Sequence, residues 1–297
     1  MSDAGARRRV RRPWAALAAG LLASVAAAAD RLEYVDNGQV RVGVNLGAGG
    51  SVCHFSAAPD YRNLVNHADR GRFIQQSFYG DSDGSRWGEK PWRWNPVQGG
   101  DYHGKSAPVL EFRPGETSLF VRSLAMHWAT GEVLSNAVME EIVRLDGPVA
   151  RIAFRFTYRG ARNHRPTHHE LPAVFVDYAL PNLVTYDGPT PWTDGPLTRR
   201  VPGWPNESMR MTESWAAYVD DQDQGIGVFT PGRTAMTCYR YKGDGRSGPT
   251  GSACSYFAPL EKFAVTNGLV FRYDVYLTAG SLKQIRERFA AIRARER

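Results

Sequence analysis

The sequence predicts an all-β protein built of two stacked antiparallel sheets, with a single helix at its C-terminal end. Three observations carry this. Apolar residues alternate with polar ones in long runs from end to end, turns rich in Gly, Asp and Asn separate the runs, and only the last segment changes to a helical period.

The alternation begins at Val40, Val42, Val44 and Leu46, which interleave with Arg41, Gly43 and Asn45. Ile152, Phe154, Phe156 and Tyr158 repeat it against Arg151, Ala153, Arg155 and Thr157. Leu269, Phe271, Tyr273, Val275 and Leu277 repeat it again near the end. Such spacing gives a strand one face for a core and one for water or a cleft. Asp146-Gly147-Pro148 and Asp220 to Gly225 read as turns between strands. Many long antiparallel strands bury their apolar faces best as two layers. Ser281 can cap a helix, and Ile285, Phe289 and Ile292 then fall on one helical face over 282–296.

Residues 1–29 read as a signal peptide. Arg7, Arg8, Arg9, Arg11 and Arg12 form a basic head, Trp14 to Ala29 an apolar run, and Ala27-Ala28-Ala29 a small-residue cleavage site before Asp30. The apolar run is too short to span a bilayer comfortably. A mature chain of residues 30–297, forming one β-sandwich domain and secreted or periplasmic, is therefore expected. Without the leader the chain carries 32 basic against 29 acidic residues, so the formal charge of +7 falls to +3 and no nucleic-acid partner is expected. Of the three cysteines, Cys238 and Cys254 flank a Gly-rich turn in a way compatible with a bridge after export, and Cys53 reads as an inert buried thiol. No zinc-ligand spacing, P-loop, dinucleotide fingerprint or nucleophile elbow occurs, so no metal or cofactor is expected.

Two stretches resist a strand reading, Gly80 to Gly104 and Thr185 to Asn206, and long loops in compact domains tend to carry function. The first holds Trp87, Trp92 and Trp94, with Asn95, Gln98 and Asp101 following. Indole faces stack on the C–H face of a sugar ring, while amides and carboxylates meet its hydroxyls. Upstream, Arg72 and Gln76 would share a strand face beside aromatics and suit a hydroxyl- or carboxylate-rich ligand. His168-His169-Glu170 opens a strand in which Glu170 and His169 take opposite faces, and a carboxyl beside an imidazole can exchange protons. Glu213 precedes another apolar run, and one of Glu140 and Glu141 must point inward. Sugar hydrolysis ordinarily uses two carboxyl groups, so Asp101, Glu170 and Glu213 are the candidate acids and bases, with His169 assisting.

Gly47 to Asn66 (GAGGSVCHFSAAPDYRNLVN) resembles the opening hairpin of galactose-mutarotase-like proteins, and Phe263 to Gly280 (FAVTNGLVFRYDVYLTAG) is similar to their closing strands. The resemblance implies a large antiparallel supersandwich shared by aldose epimerases and by domains of many polysaccharide lyases and glycoside hydrolases. It places Arg70 or Arg72 like the family's early arginine and His169 like its histidine acid, with Glu261 nearest to the C-terminal glutamate. The usual Asn-His-x-Tyr context of that histidine is absent. The expected function is a secreted carbohydrate-active enzyme that cleaves a poly- or oligosaccharide, most simply a glycoside hydrolase. The alternatives are a polysaccharide lyase acting on a uronate-containing glycan, a non-catalytic glycan-binding sandwich and an aldose-epimerase-like protein.

Overall fold

The computed structural model describes residues 29–296. The expected signal peptide therefore lies, apart from Ala29, outside the described residues. Strand makes up 51% of the chain and helix 5%, which places the protein in the all-β class predicted by the alternation.

Among the described residues every strand pairing is antiparallel. One layer runs, in order of hydrogen bonding, through Leu32–Asp36, Val40–Asn45, Ser51–Ala57, Ile74–Ser77, His164–Asp177, Cys254–Val265, Ala235–Tyr241 and Glu207–Arg210. The other runs through Thr198–Arg200, Asn182–Thr185, Trp215–Val219, Gln224–Phe229, Val270–Ser281, Val149–Tyr158, Val133–Asp146, Ser118–His127 and Val109–Pro114. The short strand Pro96–Val97 pairs with Ser77 on one side and with Met126 and His127 on the other, stitching the layers together.

Between the layers lies the main core. The alternating residues named above, joined by Phe55, supply it from both sides: Val42, Val44 and Phe55 from one layer, Ile152, Phe154, Phe156 and Val275 from the other, all at most 1% exposed. Phe78 and Phe156 stack across the gap with ring centroids 4.0 Å apart. Glu141 is the inward member of its pair. It is fully buried, accepts a hydrogen bond from Gln98 Nε2 at 3.0 Å, and burial pushes its carboxyl up to about 8. Glu140 points outward to Arg122 and Arg155.

The helix Leu282–Arg295 starts where expected, at a capping box of Ser281 and Gln284. Ile285, Phe289 and Ile292 pack on Trp215, Phe229 and Tyr276 in a second core, outside the sandwich. Gly227 permits this approach, because a Cβ there would lie 2.3 Å from Ile285 Cγ2 and 2.9 Å from the Phe289 ring. Fully burying the Phe289 ring is worth about 1.5–3 kcal/mol.

The cysteine expectation is corrected. All three are buried free thiols. Cys238 pairs opposite Phe257 and Cys254 opposite Tyr241, three rungs apart along the same hairpin. At about 3.3 Å per residue, that offset separates them by roughly 10 Å, beyond disulfide reach. Burial pushes the Cys53 and Cys238 thiols up to about 12, so neither is poised as a nucleophile.

Candidate functional site

A cleft of about 480 Å³ opens on the face of the first layer turned away from the core. Its floor comes from four adjacent strands. Ile74–Ser77 gives Gln75 and Ser77, His164–Asp177 gives Glu170, Ala173 and Phe175, and Cys254–Val265 and Ala235–Tyr241 give Tyr256, Tyr239 and Tyr241.

Two departures from simple alternation shape this floor. The ladder shifts register between Glu170 and Ala173, a bulge that brings both residues to the cleft side although their spacing is odd. Phe73 adopts φ 74°, in the left-handed region, just before its strand begins. Arg72 consequently turns to the cleft together with Gln75, Ser77 and Tyr79, and not, as expected, to the opposite face with Gln76. Gln76 lies in the interior, fully buried, with Nε2 donating to the Glu140 carbonyl at 3.1 Å.

Glu170 stands at the centre of the floor. Its Oε1 accepts a hydrogen bond from the Tyr256 hydroxyl at 2.5 Å, and the hydroxyls of Ser77 and Tyr79 also reach the carboxyl. Burial raises its pKa, and the three hydroxyl donors oppose part of that rise. Burial, and after it the Glu170 charge, holds Tyr256 well above the ordinary tyrosine range, so this hydroxyl stays a donor. At one end, Arg72 Nε donates to Asp69 Oδ2 at 3.1 Å and Nη1 to Asn66 Oδ1 at 3.1 Å, while the guanidinium lies 5.9 Å from the Tyr241 ring centre.

Aromatic rings wall the cleft on two sides. Trp87, Trp92 and Trp128 pack edge to face or tilted, with centroids 5.1–5.4 Å apart, and Tyr102 leans on Trp128. Asn95 fastens this cluster by accepting from Trp92 Nε1 at 3.3 Å and donating to the Phe78 carbonyl at 2.7 Å. Opposite, Trp204 sits edge-on to Tyr239, with Tyr241 beside it, and is still 54% exposed, so its indole is free to meet a ligand.

The structure thus brings Arg72, Trp87, Trp92, Asn95 and Glu170 to one cleft and leaves the other candidates elsewhere. His169 points into the core between Phe78 and Phe263. Its Nδ1 accepts from the Tyr79 amide at 3.0 Å and its Nε2 faces the Phe263 carbonyl at 3.0 Å, so both nitrogens are committed. Burial pushes its pKa down to about 4 and keeps the ring neutral. Asp101 is fully buried and closes a turn by accepting from the amides of His103 and Lys105. Glu213 is also fully buried and forms a two-pronged ion pair with Arg286 of the helix. Trp94 stacks on His164 with centroids 4.1 Å apart, on the far side of its loop, and Gln98 is spent on Glu141. Asp81 pairs with Arg165 and Asp83 with His127, and no cluster of three potential metal ligands occurs among the described residues.

Trp128, Trp204, Tyr79, Tyr239, Tyr256 and Asp69 escaped the sequence reading. The Thr185–Asn206 stretch, noted for its length, did contain Trp204. The tyrosines converge only through pairings of distant strands, such as Phe175 with Tyr256, which no local spacing reveals.

No protein-family model matches the sequence, and no curated protein matches it significantly. Solved structures do match the backbone. A galactose mutarotase related enzyme from Lactobacillus acidophilus aligns over 84% of this chain and 98% of its own, with a TM-score of 0.56 at 9% identity. A galactose mutarotase-like protein from Lactobacillus casei aligns over 84% of this chain and all of its own, with a TM-score of 0.55 at 11% identity. At such identities the likeness concerns the path of the chain and not its side chains. The protein has the galactose mutarotase-like supersandwich fold.

Proposed function

We propose that this protein is an exported carbohydrate-active enzyme that hydrolyses a glycosidic bond in an oligo- or polysaccharide: Glu170 gives its proton to the leaving oxygen, and water adds at the anomeric carbon and returns a proton to Glu170. The observation that carries the reading is the convergence in one cleft of stacking indoles, an arginine and a carboxyl group with a raised pKa. A general acid must still hold its proton near the working pH, and burial of Glu170 acts in that direction. The indoles offer faces to sugar rings, and the hydroxyls of Tyr79, Tyr239 and Tyr241 line the path of the ligand. The backbone likeness to galactose mutarotase-like proteins agrees with a sugar ligand.

Binding and product release measured over a panel of glycans test this. Trp92→Ala should weaken binding of the best ligand by about 1–3 kcal/mol, the usual cost of truncating a desolvated aromatic contact. Trp92 supports Trp87 and Trp128 as well, so an unchanged affinity would remove the indole wall from the site. Export is tested separately. N-terminal sequencing of protein recovered from its native host should give a chain starting at or near Asp30; an intact Met1 on cytoplasmic protein would overturn that part.

A further inference from the structure

The charged side chains lining the cleft are Asp69, Arg72 and Glu170. The one cation among them does not face the ligand unopposed. Arg72 is 8% exposed, and its Nε edge is held by the Asp69 carboxylate. Asp69 is in turn fixed by accepting the Gly71 amide at 2.9 Å, so the pair is built into the turn that leads to the first floor strand. Among the described residues Glu170 has no cationic partner, only hydroxyls. Lys90 sits 5.6 Å from the Trp87 ring centre and is itself exposed, so solvent and salt screen its charge.

We propose that Asp69 is a charge gate: by neutralising Arg72 it restricts the cleft to uncharged sugar units and bars uronates. This rests on the carbohydrate reading above and adds to it the substrate class and the residue that sets it. A carboxylate approaching the guanidinium meets attraction from Arg72 and repulsion of similar size from Asp69 at nearly the same range, and these cancel. Its desolvation is then left uncompensated. A hydroxyl suffers no such penalty. It accepts from the guanidinium N–H groups not engaged by Asp69 and Asn66, while the aromatic walls bind its ring through C–H faces that carry no charge.

The test is calorimetric binding of neutral gluco-, manno- and galacto-oligosaccharides beside the uronate oligomers of the same linkage and length. The parent protein should bind its best neutral ligand at least about tenfold more tightly than the uronate counterpart. Asp69→Asn should narrow or invert that ratio by strengthening uronate binding. The amide oxygen still accepts from the Gly71 amide, which keeps the turn, while the NH2 group that replaces Oδ2 gives up the charge and the bond from Arg72 Nε together. Raising the salt concentration offers a measurement independent of any variant: because attraction and repulsion cancel, uronate and neutral binding to the parent should both stay nearly level, and a steep weakening of uronate binding would show Arg72 acting unopposed and overturn the gate. Equal or tighter uronate binding by the parent overturns the gate while leaving the carbohydrate reading standing, as does an unchanged ratio in Asp69→Asn. Failure of every glycan, neutral and acidic, to bind the parent overturns both.

Discussion

Glu170→Gln should abolish turnover, by about 10²- to 10⁴-fold in kcat, while leaving ligand affinity within a few-fold of the parent. The amide has the shape of the carboxyl and still accepts from the Tyr256 hydroxyl, so the floor keeps its form. It has no exchangeable acidic proton to give to a leaving oxygen. The pH dependence follows from the same environment. Burial raises the Glu170 pKa, so the protonated form persists above the ordinary carboxylate range. A general acid works in that form, and turnover should therefore fall as pH rises through the raised value. Tyr256 stabilises the charged form by donating to it, so Tyr256→Phe should raise the Glu170 pKa further and move the alkaline limb to higher pH. A merely structural Glu170 would leave that limb in place. Normal turnover by Glu170→Gln would remove it from the chemistry altogether.

What could be read in the sequence divides along a physical line. Period-two alternation is a property of a strand and its immediate neighbours, so the all-β class, the inward turn of one member of the Glu140–Glu141 pair and the opposite faces of His169 and Glu170 were all legible. The helix was legible for the same reason, since its cap and its apolar stripe lie within fifteen residues. Arg72 reaches the cleft as expected but Gln76 does not share its face, because alternation assumes extended backbone, and Phe73 at φ 74° interrupts it. The bulge after Glu170 breaks the rule a second time, within the site itself. Both interruptions are what makes the cleft. Acids could be short-listed by their position beside apolar runs, but that pattern does not distinguish a carboxyl facing a cavity from one facing an arginine. Glu170 and Glu213 look alike in sequence. Their difference lies in what distant segments place opposite them: hydroxyls from residues 77, 79 and 256 in one case, and Arg286 in the other.

The contrast makes Glu213 the site of the largest expected loss of stability. Its carboxyl, 0% exposed, receives Arg286 Nη2 at 2.6 Å and Nε at 3.1 Å, the Trp192 amide at 2.7 Å and the Trp215 indole N–H at 2.8 Å. Four donors from three separate parts of the chain thus meet on one side chain, and the C-terminal helix is tied through it to the strand Trp215–Val219. Glu213→Ala would leave a guanidinium whose side chain is only 12% exposed without its anion, and two N–H groups without acceptors. Removing one member of a buried pair costs about 3–5 kcal/mol, because the remaining charge has lost both water and its partner. Denaturant unfolding should show this as a large drop in midpoint with little change in slope. The double variant Glu213→Leu with Arg286→Met should recover much of the loss, since it removes the stranded charge together with its partner. Glu213 does not line the cleft, so the fraction of Glu213→Ala that remains folded should bind and turn over glycan like the parent. Lost turnover in a fully folded Glu213→Ala would return this residue to the chemistry. Lost stability with retained specific activity would assign it to the attachment of the helix, to which the two hydrogen bonds from Arg286 tie it.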